Sequence, residues 1–509
     1  MQPTSLQNEL YTYFGKHSFL PGQQAIIEDV LAGRDVLGIL PTGSGKSLCY
    51  QLPAKLLSGV TIIVSPLISL MSDQVKQLKA NQFSDVIALN SFLDLYERKK
   101  EYPNLNKYKL IYVSPELLQQ EEVLYWLGKL AISLFVVDEA HCISQWGHEF
   151  RPDYLRLDNV IRNLGNPVVL ALSATATEEV REDIIHSLDR PSMKEHVHPI
   201  DRSNIIYDVH HVKDNNEKVC YIAKLMRTYQ IPIIIYFSSR QTCEEIAEIL
   251  SRDVPERQTA YYHGGMEQID RTLVQQQFMN DQIDVICATS AFGMGINKQN
   301  TRMVVHYHLP AQIESFIQET GRAGRDGRPS VSLLLYSESD KYIPKSFIKN
   351  ELPTMDDVIF VWNRLYELYI KGRPIPSDEE KIKSYFHLSQ TQWRFLFYQM
   401  SNHDMIYGRN IIYNKQHWRE TLDEIEQVIR ERVNQKENKV AEMVNWISEK
   451  NCLRKTLFQG FQSSYTPPEK DCCTNCGFKL FDWDPAMTEK RSPGKPWEQT
   501  LKNIFIEIG

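Results

Sequence analysis

Residues 41–47 (PTGSGKS) form a glycine-rich run between an apolar strand pattern and a helix pattern. In that context a loop can cradle phosphate. Gly43 and Gly45 let backbone N–H groups close on phosphate oxygens, with Thr42 and Ser44 in the same cradle. Lys46 would reach the terminal phosphates, and Ser47 would hold Mg²⁺. The helix that follows points its positive end at the anion. Leu40 stands where the G-x4-GK pattern usually begins with glycine, so the strict form is broken. Some ninety residues on, a second strand pattern ends in Asp138-Glu139-Ala140-His141. Asp138 can hold Mg²⁺ through water, and Glu139 is placed to orient or deprotonate an attacking water. Two acids at a strand end say little alone. Beside a phosphate loop they imply hydrolysis of a phosphate chain.

The elements that must position these groups alternate. Strand patterns fall at 35–40, 61–65, 109–113, 134–138 and 167–173, then at 232–237, 259–262, 285–288, 303–306 and 330–336. Continuous apolar runs of this length suit buried parallel strands, and helix patterns between them imply right-handed βαβ units. The strands form two groups that part near 190–205, which predicts two α/β domains. Beyond 341 the strand pattern fades. Residues 377–388 and 389–400 read as two helices with a short turn, and 405–414 (MIYGRNIIYN) as a hairpin. That order fits a winged helix or an ordinary helical accessory domain. A long charged helical stretch covers 418–450, with Ile425, Val428, Ile429, Val433, Val440, Met443 and Ile447 on one stripe. The segment after 477 reads as a short, partly loose tail.

The chain has 509 residues, 42% of them apolar, and a formal net charge of −7, which argues against a general basic coat for nucleic acid. Residues 1–340 carry 32 basic and 41 acidic side chains, and 341–509 carry 25 and 23. No signal-type apolar core follows Met1 and no apolar run reaches bilayer length, so the expected setting is soluble and intracellular. Nine cysteines are scattered except for Cys472, Cys473 and Cys476. In a reducing compartment such a cluster suggests metal rather than disulfides.

Residues 138–141 are a DEAH box, and Ser173-Ala174-Thr175 is the SAT motif of superfamily 2 helicases. Residues 141–154 (HCISQWGHEFRPDY) resemble the aromatic-rich loop of the RecQ DNA helicases. Residues 288–298 (ATSAFGMGINK) and 318–327 (QETGRAGRDG) are similar to that family's motifs V and VI. Phe14-Gly15, Phe19 and Gln23 resemble its motif 0, whose glutamine reads adenine. The resemblance runs from about 10 to 340.

The resemblance implies ATP between two RecA-like domains. Lys46, Ser47, Asp138 and Glu139 would come from the first, and Arg322 and Arg325 from the second. Arg325 is the favoured finger, with Arg322 a phosphate or coupling contact. Phe14, Gln23 and Gly295 would join the nucleotide contacts. Ser65, Ser69, Gln74 and Thr289 would meet the DNA backbone, and Gln145, Trp146, Phe150 and Arg151 its bases. His141, Ser173 and Thr175 would couple the two sites. The family also has a helical hairpin carrying one cysteine, with three more in a downstream loop. Cys452, Cys472, Cys473 and Cys476 would then close a tetrahedral Zn²⁺ site, one of the adjacent pair being a candidate spectator.

The implied fold is two tandem RecA-like parallel-sheet domains, at 1–200 and 201–340. A mainly helical region with a winged-helix candidate follows at 341–416, then a zinc-binding helical hairpin at 417–480 and a tail at 481–509. The implied activity is ATP-dependent 3′–5′ unwinding, in repair or recombination, of single-stranded and partially duplex DNA. Single-strand-binding and recombination proteins are candidate partners, and no membrane is. A DNA translocase that remodels complexes without unwinding is the near alternative, and a non-catalytic DNA-binding scaffold the distant one. Two departures stand out. Leu20 replaces the arginine usual after the motif 0 Phe, and too few residues follow Cys476 for a further winged helix and the family's helical HRDC domain.

Overall fold

The protein is described from a computed structural model, over residues 5–66, 68–81, 83–90, 95–144, 152–293, 298–462, 465–468 and 470–485. Gln145, Trp146, Phe150, Arg151 and Gly295 lie outside the described residues, as does the side chain of Ser69.

The first sheet contains β1 (Val36–Ile39), β2 (Val60–Val64), β3 (Val86–Leu89), β4 (Leu110–Val113), β5 (Ile132–Val137), β6 (Val168–Ser173) and β7 (Lys194–Val197), in the order β3-β4-β2-β5-β6-β1-β7. All its pairings are parallel. Every residue of β1, β2 and β4 is buried, as expected of strands covered on both faces by helices. The second sheet contains β8 (Ile205–His211), β9 (Ile233–Tyr236), β10 (Thr259–Tyr262), β11 (Val285–Ala288), β12 (Met303–His306) and β13 (Ser330–Tyr336), in the order β10-β11-β9-β12-β13-β8, again parallel. Two RecA-like lobes are the result.

Ten strands fall where apolar runs predicted them, with ends moved by up to two residues, as hydrogen-bonded ends commonly are. Three others were not anticipated. β7 carries Lys194, Glu195 and His196 on the edge of its sheet, where no apolar run is needed. β8 is the opposite edge of the second sheet, its apolar start turning polar at Asp208, His210 and His211. The stretch near 190–205 where the two strand groups part therefore carries one edge strand and leads into another. β3, VIAL, is short and half exposed in its centre.

Helices Met355–Ile370, Glu379–Phe386 and Gln390–Asn402, with the antiparallel hairpin β14 (Ile406–Tyr407) and β15 (Asn410–Ile411), share one core around Val361, Leu365, Phe386 and Leu396. Capping boxes at Thr354/Asp357 and Ser389/Gln392 start two of these helices. Helix Lys415–Ile447 is continuous over 33 residues. Its first half buries Trp418, Ile425 and Ile429 in that core, and its end buries Met443, Trp446 and Ile447, with Trp446 against Phe316 of the second lobe (ring centres 4.9 Å apart). Trp446 Nε1 donates to Leu453 O (2.9 Å) and closes the hairpin onto helix Leu453–Phe458. Residues 478–483, at the start of the expected tail, are pinned. Phe478, Leu480 and Trp483 enter the second-lobe core, and the Tyr229 hydroxyl donates to Leu480 O. Among the described residues, no helix is long and apolar enough to cross a membrane.

Candidate active site

Adjacent strands β5, β6 and β1 deliver three motifs to the carboxyl end of the first sheet. The glycine-rich loop leaves β1 and runs into helix Leu48–Leu56, with Ser47 at its N-terminal boundary. Gly43 (φ 84°) and Gly45 (φ 68°) take left-handed backbone that bends the loop over the helix start. Gln23 braces the loop, its Nε2 donating to Ser44 O (2.7 Å) and Gly45 O (3.0 Å) while its Oε1 accepts from Leu20 N (2.9 Å). Expected at adenine, this amide instead faces the phosphate loop. Phe14 is half-buried against the apolar core beneath.

Asp138 and Glu139 follow β5. Burial and the Glu139 carboxylate push Asp138 up to about 7, against the pull of Lys46. Glu139 sits in left-handed backbone (φ 50°), and its Oε2 accepts no hydrogen bond among the described residues. A buried acceptor without a donor suits a group that waits for a water. His141, buried, places Nδ1 2.9 Å from Ser173 Oγ and 3.5 Å from Glu139 Oε2. Ser173 Oγ in turn donates to Thr175 O (3.0 Å) and lies 3.4 Å from Thr175 N. The Tyr154 hydroxyl donates to Asp138 O (3.2 Å). The DEAH and SAT motifs are thus one hydrogen-bonded unit.

The second lobe closes the site. Helix Ile313–Thr320 follows β12 and ends in a turn through Gly321–Gly327. Arg325 lies against the phosphate loop: a Cβ on Gly43 would stand 3.5 Å from its Cγ. Burial, then Arg322 and Arg202, lower the Arg325 guanidinium to about 9. Arg322 turns the other way and donates to Gly293 O. Thr42 packs so tightly on Gly321 that a Cβ there would stand 1.9 Å from its Oγ1. The acids nearest the turn are engaged, Asp326 by Arg302 and Glu319 by His306 (2.9 Å).

Lys46, Asp138, Glu139, His141, Ser173, Thr175 and Arg325 are therefore gathered about one inter-lobe cleft. Ser65 follows β2, the strand paired with the one that carries Asp138, whereas Gln74 and Thr289 lie at other elements. Ser65 is buried after β2, Gln74 accepts from Gln51 Nε2 (3.3 Å), and Thr289, after β11, donates its N–H to Tyr262 O (3.1 Å). Sequence reasoning missed Arg202 and Asn204. Arg202 donates to Gly321 O (2.9 Å), Ala323 O (2.9 Å) and Gly324 O, and Asn204 Nδ2 to Gly324 O (2.8 Å) and Arg328 O (2.8 Å). Nothing in their spacing could have signalled this, because the partners are backbone carbonyls over a hundred residues away.

A second cluster lies beyond the long helix. The sulfurs of Cys452, Cys472, Cys473 and Cys476 all lie within 4.8 Å of one another, with 3.5 Å between Cys452 and Cys472 and between Cys473 and Cys476. Tetrahedral zinc at its usual sulfur distance sets neighbouring sulfurs about 3.8 Å apart, so the four sulfurs are near the spacing such a site needs. Both members of the adjacent pair lie in the cluster. Burial acts to raise the Cys452 thiol, but the Lys455 N–H and the Tyr465 hydroxyl outweigh it and bring it to about 7.

Family models match in two places, a DEAD/DEAH box helicase over residues 20–184 and a helicase conserved C-terminal domain over 215–327. The probable ATP-dependent DNA helicase RecS of Bacillus subtilis is 40% identical over 508 residues, covering 99% of this chain and 98% of that protein. The chain belongs to the RecQ family of ATP-dependent DNA helicases. RecQ of Pasteurella multocida is 42% identical over 333 residues, 65% of this chain and 52% of that longer protein. The fold agrees with helicases of known structure. Lhr of Mycobacterium smegmatis, solved with single-stranded DNA and AMP-PNP, superposes with TM-score 0.58 at 18% identity over 81% of this chain and 60% of that one. S. cerevisiae Dbp5, solved with RNA and ADP BeF3, gives 0.54 at 18% over 68% and 90%. This RecQ-family chain thus carries the two-lobed helicase fold.

Proposed function

We propose that this RecQ-family protein hydrolyses ATP between its lobes and uses the closure to move 3′ to 5′ along one DNA strand, unwinding duplex ahead of it during repair or recombination. One observation carries the reading: Arg325 reaches across the cleft to the Gly43 loop, on the side where Asp138 and Glu139 converge. An arginine supplied across the cleft to a phosphate loop stabilises charge on a phosphoryl group in transfer. Lys46 binds the phosphates, Ser47 and Asp138 hold the Mg²⁺ that neutralises developing charge, and Glu139 orients the attacking water. Arg322, turned toward Gly293, links the same turn to the segment after Thr289. His141, Ser173 and Thr175 carry the state of the acids toward the DNA strand, which Ser65, Ser69, Gln74 and Thr289 grip by its phosphates and Gln145, Trp146, Phe150 and Arg151 by its bases. Gln23 holds the loop in shape, and Phe14 and Gly295 join the nucleotide contacts.

In this reading the units are 1–200, 201–340, a winged helix over 341–416 and a hairpin over 417–480 in which Cys452, Cys472, Cys473 and Cys476 bind structural Zn²⁺. The setting is the cytoplasm, at the nucleoid, with single-strand-binding and recombination proteins as partners. A strand-separation assay with ATP on 3′-tailed, 5′-tailed and forked DNA and on RNA duplexes tests it. Unwinding of 3′-tailed and forked DNA is expected. Unwinding from 5′ tails alone overturns the polarity. ATP turnover with no strand separation on any substrate leaves a translocase in its place.

A further inference from the structure

Arg202 lies on the connection between the two sheets, between β7 and β8. Its guanidinium reaches three backbone carbonyls of one turn, at Gly321, Ala323 and Gly324, and Asn204 two residues on takes Gly324 O again and Arg328 O. These carbonyls frame Arg322 and Arg325 in sequence. A planar fork of donors suits such a task, because it fixes several acceptors at once where an ammonium fixes one direction at a time. The connection is itself anchored from behind. Arg454, fully buried on the cysteine hairpin, donates to Asp201 Oδ1 (2.6 Å), Arg202 O (3.1 Å) and Ile205 O, and its guanidinium lies 5.1 Å from the centre of the Tyr207 ring. Gln462, past the same hairpin helix, accepts from Ile200 N (3.1 Å) and Asp201 N (3.3 Å).

The turn needs such support. It holds Arg325 against the Gly43 loop, with Arg322 and Arg202 close enough to act on it. Three guanidinium groups gathered at one turn repel one another. The backbone bonds from Arg202 and Asn204 offset that repulsion and preset the direction of Arg325. Preset donors stabilise developing charge without reorganising during the reaction.

We propose that Arg202 is a positioning residue for ATP hydrolysis: from the inter-lobe connection it clamps the Gly321–Gly324 backbone so that Arg325 faces the phosphate loop. Asn204 assists, and Arg454 ties the cysteine hairpin into the same clamp. The inference rests on the ATPase reading above.

The test compares the full-length protein with Arg202→Ala, Arg202→Lys and Asn204→Ala, measuring kcat and KM for ATP with saturating single-stranded DNA. Zinc content and DNA affinity report on folding. Arg202→Ala is expected to lower kcat by about a hundred-fold, the scale of losing the aim of a catalytic group, with KM changed less than about three-fold. Arg202→Lys keeps the charge and loses the fork, so it stays at least about ten-fold below the unsubstituted protein. Asn204→Ala, which leaves Arg202 in place, loses several-fold in kcat. A normal kcat in Arg202→Ala, or a raised KM with kcat intact, overturns the clamp. Full activity in Arg202→Lys reduces the role to charge and overturns it equally. If Arg202→Ala does not fold, the lysine and Asn204 variants decide alone. Failure of the unsubstituted protein to hydrolyse ATP would instead refute the ATPase reading, so the two failures are distinct.

Discussion

His141 and Ser173 meet through a 2.9 Å hydrogen bond between Nδ1 and Oγ, both side chains sealed inside the first lobe. The serine hydroxyl also donates to Thr175 O, so one small group ties the strand that ends in the acids to the strand that ends in the SAT motif. His141 lies 3.5 Å from Glu139 Oε2, so its imidazole stands between that carboxylate and Ser173. Ser173→Ala removes the middle of the chain while leaving Lys46, Asp138 and Glu139 in place. It is expected to keep DNA-independent ATP turnover within a few-fold and to lose most of the DNA stimulation. The loss corresponds to about 1–3 kcal/mol, the cost of leaving a buried partner unpaired. ATPase rates with and without single-stranded DNA check it. Full stimulation in the variant would place the coupling elsewhere.

Lys46 stands at the start of helix Leu48–Leu56 and acts on Asp138 through its charge. Lys46→Ala is expected to cut ATP turnover by at least about 10²–10³-fold, as removal of a charge-stabilising donor does. The fold should survive, because the side chain is only partly buried at the loop surface. Phosphate release in the presence of DNA is the measurement, and retained turnover would refute the catalytic roles as a group.

What could be read without coordinates follows from where the physics is local. The buried runs at 36–39, 60–64 and 285–288 announce themselves because both strand faces are apolar, and the glycine-rich loop does so because Gly43 and Gly45 must take positive φ. The edges β7 and β8 hide because solvent on one side lets Lys194 and His211 stand there. Arg202 hides for another reason. It was one arginine in an apparent linker, and only folding brings Gly321 and Gly324 to it. The cysteines were legible as a cluster, but the place of both Cys472 and Cys473 in it follows from the turn that sets Cys473 and Cys476 sulfurs 3.5 Å apart. Residues 478–483 misled because Pro and Asp around them suggest a tail, whereas Trp483 packs against Tyr229 with ring centres 5.5 Å apart.

Gly321 reports on closure of the cleft. A methyl there would stand 1.9 Å from Thr42 Oγ1 and 3.2 Å from Ile317 O, and the lobes must then part to relieve it. Gly321→Ala is expected to lower kcat by about ten-fold or more, with the unfolding midpoint of the separate lobe cores little changed. Adding Thr42→Ala removes the nearest atom and should recover part of the loss. The two substitutions would then be non-additive, as for groups in contact. Additive losses would mean that the contact is not made during turnover.

His308 predicts an acid limb in stability. Burial, and then the Lys218 ammonium, lower its imidazole to about 4, against the opposing pull of Asp340. Neutral Nδ1 accepts from Ser238 N (3.1 Å). An unfolded histidine takes its proton near pH 6.5, so between pH 6.5 and about 4 the unfolded state binds the extra proton. Stability is then fully present above pH 6.5 and falls as the pH drops through that window, by on the order of 3 kcal/mol at most. His308→Asn keeps an acceptor and does not titrate, so its denaturation midpoint should fall less steeply over the same range. An unchanged slope would assign the limb to other groups.

The cysteine cluster predicts that metal and fold are linked. The Cys472 carbonyl accepts from Tyr207 N (3.2 Å), and the Thr474 hydroxyl donates to Asp208, so the loop carrying three of the sulfurs is stitched to β8 at the edge of the second sheet. The fourth, Cys452, starts the helix that carries Arg454 into the connection between the lobes. Four thiolates left without a cation would repel one another inside this joint. Purified protein is expected to contain one zinc per chain, and a strong chelator should lower the thermal midpoint by several degrees or more, because binding energy at a structural site is folding energy. Cys473→Ser, at the fully buried sulfur, should reproduce the loss without chelator and abolish any further effect of it. ATP turnover should fall in parallel with zinc content, since the hairpin anchors Asp201 and the Arg202 backbone beside the arginine turn. Metal-free protein with an unaltered midpoint would remove the zinc and leave four reduced thiols as the cluster's whole content.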